Sequence, residues 1–157
     1  MDLTWIGVVD TTVKIGLGAA ISAVFGYFVL VKKQEHENDQ EQRRLFYSLQ
    51  EEKKSKYVEF LSLSQKLIQT YLYTSCSPAS DDYNQYLRAF NELQIISNDT
   101  IRVKAYEAMY SVQSFIFLSK NQQEIDLLDK MVADAREKIS VFQKVAQQEA
   151  TRQYEKI

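Results

Sequence analysis

The sequence predicts an all-α chain, with one N-terminal transmembrane helix followed by an antiparallel cytosolic helical bundle that has a long first helix. Three observations predict it. The stretch from Ile15 to Val31 carries no charge and is closed by Lys32 and Lys33. All four glycines, Gly7, Gly16, Gly18 and Gly26, fall at the N-terminal end, and the 131 residues after Gly26 contain none. Those 131 residues also hold the single proline, Pro78, which argues against turn-rich β structure. The expected boundaries are 1–33 for the transmembrane helix, 34–44 for a charged helical stalk and 45–157 for a cytosolic four-helix bundle.

The apolar run is seventeen residues long, at the lower edge of what spans a bilayer as a helix. Leu3 to Val13 is also largely apolar, interrupted by Asp10 and three threonines. One helix from Leu3 to Lys33 would be roughly 45 Å long, more than the roughly 30 Å hydrocarbon core. Its first turns should therefore reach the headgroups. No basic residue precedes the run apart from Lys14, and no small-x-small site follows it. An uncleaved anchor is expected, not a signal peptide. Lys32, Lys33, Arg43 and Arg44 follow the run, whereas only Met1 and Asp2 precede the apolar region. The positive-inside rule then places the N-terminus outside and the bulk of the chain in the cytosol.

Gly18, Ser22 and Gly26 are spaced by four, the small-xxx-small pattern that lets membrane helices approach closely. At 100° per residue, Gly7, Thr11, Lys14 and Gly18 fall on nearly one line, with Asp10 beside it. The seven residues Gly7, Asp10, Thr11, Lys14, Gly18, Ser22 and Gly26 thus form a candidate oligomerisation or pore face. Charges at membrane depth usually face a bundle interior or a watery cavity. The alternative stays open that Asp10 and Lys14 pair at the outer interface, with Lys14 snorkelling.

Residues 34–44 hold no apolar side chain and no Gly or Pro. Glu, Gln and Arg favour helix, so a solvated stalk continuous with the membrane helix is preferred over a flexible linker. From Leu45 an amphipathic pattern runs to about Tyr73, with Tyr57, Phe60, Leu61, Ser64, Leu67, Ile68 and Tyr71 on one face. The segment Thr74–Ser80, with Pro78 and three serines, breaks it. Ser80 is a good N-cap for a second helix to about Ile96, with Tyr83, Tyr86, Leu87, Phe90, Leu93 and Ile95 or Ile96 facing inward. Ser97–Thr100 reads as a turn. A third helix follows with Val103, Tyr106, Met109, Tyr110 and Phe115–Leu118 inward. After a last turn at Ser119–Gln122, the fourth runs from about Glu124 past Val145, facing inward with Leu128, Met131, Ala135, Ile139, Phe142 and Val145 or Ala146. The polar tail from Gln147 should fray. Amphipathic helices joined by short turns pack antiparallel as a bundle.

Ten tyrosines and eight phenylalanines suit a core with its rim, and also an interaction surface. Phe115–Leu118 is apolar at four successive positions. One helix face cannot bury them all, which points to a second helix or subunit against them.

Candidate chemistry is sparse, and no enzyme is expected. The one histidine, His36, lies among Glu35, Glu37 and Asp39 and reads as part of a solvated charge run, not a metal site. Cys76, the only cysteine, excludes an intramolecular disulfide, suits a reducing compartment and has no histidine partner nearby in sequence for nucleophilic catalysis. The glycine-free part offers no phosphate-binding loop. Glu92, Asp99 and Glu107 show no ExxH pairing of a di-iron bundle. No cofactor is expected. A net charge of −2 gives no electrostatic reason for nucleic acid as a partner.

The plan resembles small bacterial membrane proteins with one N-terminal helix and a cytosolic helical bundle, which act as accessory or effector subunits in anti-phage defence. One such group is the membrane accessory protein of type VI-B CRISPR systems. The likeness lies in the Ile15–Val31 run, the charged stalk and segments such as Tyr57–Leu61 and Asn91–Leu93. The Arg-x4–6-His motif of nucleases of the HEPN type is missing, since no arginine precedes His36. No functional residue is carried over. The resemblance implies a homo-oligomeric pore or membrane effector in phage defence, with the lipid membrane and further copies of the chain as partners. The alternative is a membrane-anchored adaptor whose bundle recruits a cytosolic protein. A phage protein acting on its host's membrane is a third class.

Overall fold

The computed structural model describes the backbone of residues 3–121 and 123–155, and side chains from Val24 onward within them. The described residues form four α-helices in the order α1 (Leu3–Thr70), α2 (Asp81–Ile96), α3 (Asp99–Phe117) and α4 (Ile125–Ala150). Among the described residues there is no strand. Two units separate within the chain, residues 1–45 with 156–157, and residues 46–155. The first contains most of α1 as a single helix through residues 34–44, the stalk conformation that their Glu, Gln and Arg content favours. Its surface carries i,i+4 pairs, Lys33 with Glu37 and Arg43 with Asp39.

The second unit is an up-down-up-down bundle. Residues 46–70 of α1 run antiparallel to α2, with Lys56 against Glu92 and Lys66 against Asp82. They also run antiparallel to α4, with Phe46 against Tyr154, Lys53 against Glu149 and Phe60 against Phe142. α3 completes the bundle between α2 and α4 and lies across the core from α1. At the centre Phe60 stacks on Tyr86 at 5.2 Å and meets Phe142 edge-on at 5.1 Å. All three are fully buried, with Leu67, Leu93, Val112 and Phe115 around them. Offset or edge-to-face pairs of this kind add stability beyond their burial.

The caps follow from sequence chemistry. Ser80 accepts a hydrogen bond from the Tyr83 amide, and Asn98 from the Ile101 amide, each satisfying an orphan donor of the helix that follows. With no glycine available, α2 and α3 end by turning straight into extended backbone at Ser97 and Leu118, not through a left-handed residue. The free carbonyls at the end of α3 find partners elsewhere. The Cys76 amide donates to the Ile116 carbonyl at 2.8 Å, and the Ser75 hydroxyl to the Leu118 carbonyl at 2.8 Å. Lys120 bends back to the Phe115 carbonyl and sits over the Phe115 ring. Burial holds the Lys120 ammonium below its ordinary pKa.

Several expectations are corrected. The first helix ends at Thr70, not Tyr73, and α3 begins at Asp99, inside the expected turn. On α3 the face is misphased. Val103, Tyr106 and Tyr110 are 54, 56 and 60 % exposed, while Ile101, Ala105, Ala108 and Val112 are buried. Three alanine and valine positions outweigh two tyrosines because a small side chain lets α3 approach its neighbours closely. Ile95 is exposed and Ile96 half-buried, with Ala89 taking an inward place on α2. The Phe115–Leu118 run is an expectation met, since a second helix of the same chain, α2, lies against it and not a second subunit. Phe115 and Ile116 are buried, Phe117 packs edge-on against Tyr83 at 4.7 Å, and the helix ends before Leu118. Nor does the tail fray from Gln147. α4 continues to Ala150, and Tyr154 packs on Phe46.

Candidate assembly surfaces

Of the seven residues of the predicted face, six, Gly7, Asp10, Thr11, Lys14, Gly18 and Ser22, lie outside the residues whose side chains are described. Gly26 is described, on α1, and a Cβ placed there would meet nothing within 4 Å. In the single chain the space next to Gly26 is therefore open.

Around Gly26 the helix exposes apolar side chains on every side. Val24, Phe25, Tyr27, Phe28, Val29 and Leu30 are each more than half exposed. Six consecutive large apolar residues, glycine apart, cannot belong to one face of a 3.6-residue helix. They form an apolar sleeve that ends at Lys32 and Lys33. Soluble monomers rarely expose contiguous apolar surface of this kind. Among the described residues no helix is long and apolar enough to cross a membrane. The described side chains cover only Val24–Val31 of the seventeen-residue run.

Two surfaces stand out on the bundle. One is a ridge on α3 made of Val103, Tyr106 and Tyr110, the two rings stacked at 6.5 Å. The other is a groove between α1 and α4 with two lobes that share Gln143, of about 390 and 380 Å³. One lobe is mixed, with Gln65, Gln69, Arg136 and Ser140 beside Ile68 and Ile139 in its wall. The other is largely apolar, with Tyr57, Val58, Leu61, Ala146 and Ala150. Lys54 closes its foot. Sequence periodicity concealed the ridge, because its spacing of three and four is also that of a core face.

Polar groups inside the bundle are mostly paired. Ser64, fully buried, contacts the Phe60 carbonyl at 2.7 Å and the Tyr86 hydroxyl at 3.1 Å. Burial pushes the Tyr86 phenol well above its usual range. Lys53 and Glu149 pair at 2.7 Å, both mostly buried. Gln50, also buried, keeps its side-chain oxygen without a partner among the described residues. At the surface, hydrogen bonds from Lys56 and Arg88 hold Glu92 below the usual carboxylate range, and the Glu92 bond raises Lys56. His36 bonds Gln40 one turn away, and Cys76 contacts Ser80 at 3.1 Å. Among the described residues no cluster of His, Cys, Asp or Glu could hold a metal ion. Compared with protein-family models, curated proteins and solved structures, the chain gives no match.

Proposed function

We propose that this chain is a single-pass inner-membrane protein that assembles as a homo-oligomer and acts as a pore or membrane effector, in the setting of phage defence. The observation that carries the reading is the apolar sleeve of Val24–Leu30, exposed all round in the single chain and continuous in sequence with the uncharged run from Ile15. Lipid and neighbouring helices are the surroundings that remove such a sleeve from water. In this reading the span covers Ile15–Val31, the N-terminus lies outside and the bundle lies in the cytosol. The strip of Gly18, Ser22 and Gly26 packs copies together, and Asp10 and Lys14 face the axis. The phage-defence setting rests on the architectural resemblance alone.

The mass of the detergent-solubilised protein, with detergent subtracted, tests it. A defined assembly of several copies is expected, and replacing Gly18 and Gly26 by Leu should reduce it to monomer. A Cβ at residue 26 has open space around it, so loss of assembly in Gly26→Leu reads on contacts between chains. A monomeric wild type would refute the reading.

A second reading, a membrane-anchored adaptor, is favoured by the exposed tyrosines of α3. Exchanging residues 1–33 for an unrelated membrane helix separates the two. An adaptor keeps its activity after the exchange, and a pore loses it.

A further inference from the structure

The α3 ridge and the α1/α4 groove lie at the same height on the bundle. Glu92 pairs with Lys56, so Gln94, two residues on, is level with Lys54. Gln94 in turn bonds Arg102, which puts the start of α3 at the height of Lys54. At the other end Asp82 pairs with Lys66, so Tyr83 is level with Gln65, and Tyr83 packs on Phe117. Val103, Tyr106 and Tyr110 lie between these limits. They stand level with Val58 and Leu61, which line the apolar lobe of the groove.

From this we infer that the α3 ridge of one copy seats in the α1/α4 groove of the next, joining the cytosolic bundles head to tail. The inference rests on the assembly reading above and specifies the contact in its cytosolic part. Three features favour a second copy as occupant. The first is the matched height. A head-to-tail contact without axial offset closes into a ring about an axis parallel to the helices when its rotation divides a full turn, whereas an offset would build a helical filament. In such a ring every copy points its membrane helix the same way.

The second feature is chemical fit. A tyrosine brings an apolar ring and a hydroxyl that needs a partner once buried. The lobe offers an apolar floor at Val58, Leu61 and Ala146, and amides at Gln143 and Gln147. At the foot the charges are complementary. Asp99, 93 % exposed, precedes Arg102 by less than a turn on α3, and Lys54 closes the groove at that height. Among the described residues each has its partner on its own helix, Arg102 at 3.0 Å and Glu51 at 3.6 Å.

The third feature is area. With just over half of each side chain exposed, the ridge offers roughly 300 Å², against about 800 Å² per partner in a stable interface. Bundles free in solution would pair weakly. Tethering by a membrane helix raises the effective concentration, so the contact fits copies already gathered in a membrane.

Disulfide trapping in the full chain, reconstituted in lipid vesicles, tests the contact. Val58 and Tyr106 are both exposed and sit on opposite sides of the core, so cysteines there cannot join within one chain. The double variant Val58→Cys, Tyr106→Cys should give an oxidant-dependent ladder of three copies and more, while each single variant stays monomeric on a denaturing gel. Dimers from Tyr106→Cys alone would overturn the inference in favour of a symmetric α3–α3 contact. No ladder from a protein whose native mass is still oligomeric would overturn it and leave the assembly reading standing. A native mass of one copy would overturn both.

Discussion

Ser64 and Tyr86 form a hydrogen bond between side chains that is sealed in the centre of the bundle, and they allow a quantitative test of its packing. The Ser64 hydroxyl has a single proton. The carbonyl of Phe60, 2.7 Å away, can only accept, so it takes that proton, a back-bond common for serine inside helices. The Tyr86 phenol, at 3.1 Å, is then left to donate to Ser64. Ser64→Ala removes the acceptor and leaves the phenol buried and unpaired, at a cost of about 2 kcal/mol. Tyr86→Phe leaves Ser64 its carbonyl partner and should cost about 1 kcal/mol. With both changed no orphan remains, so the double variant should lose about 1 kcal/mol, some 2 kcal/mol less than additivity. Denaturant unfolding of the full chain in micelles, followed by tyrosine near-ultraviolet circular dichroism, reads the bundle, where most tyrosines lie. Strict additivity of the two single changes would refute the argument.

Gln50→Leu replaces a buried amide whose oxygen has no partner among the described residues, and should raise stability by about 1 kcal/mol in the same unfolding measurement; a loss of that size would show that the amide is satisfied after all. The Lys56–Glu92 pair predicts a pH window. Glu92, depressed in the fold, contributes stability above its ordinary value near 4.5 and loses it as pH falls through the folded value. Lys56, raised in the fold, contributes below its ordinary value of 10.5 and loses its share as pH rises through the folded one. A series of melts across pH in wild type and Glu92→Gln should therefore differ between these limits, converge at low pH, and narrow at high pH, where Arg88 still pairs with Glu92; a difference that persists at low pH would refute the assignment.

Much of the bundle was legible because its signals are local. Pro78 among serines marks the one long connection, and Ser80 and Asn98 carry the short side-chain acceptors that helix starts need. The core line of Tyr57, Phe60, Ser64, Leu67 and Ile68 has one phase only, with charged residues between. On α3 two phases compete. Tyrosines at 106 and 110 and alanines at 105 and 108 satisfy the same spacing, and hydrophobicity alone favours the tyrosines. Which phase turns inward depends on how near α4 and α2 approach, and that distance is not written in α3 itself. The groove was illegible for a related reason. Its two walls come from residues about 90 positions apart, and its floor from side chains, such as Ala146 and Ala150, that are notable only for being small. The membrane face was read from spacing, and Gly26 is the one member whose surroundings are described.

The bond from the Cys76 amide to the Ile116 carbonyl ties the loop after α1 to the last turn of α3. Those two segments are forty residues apart, and neither can separate from the other while that bond is closed. The amide proton of Cys76 therefore reports on a tertiary event although it sits in a loop. Its exchange with solvent deuterium should be as slow as that of core amides in α3, while nearby loop amides exchange fast. Should any signal applied to the bundle prise α3 from the α1–α2 hairpin, this single proton would register the opening before either helix unwinds.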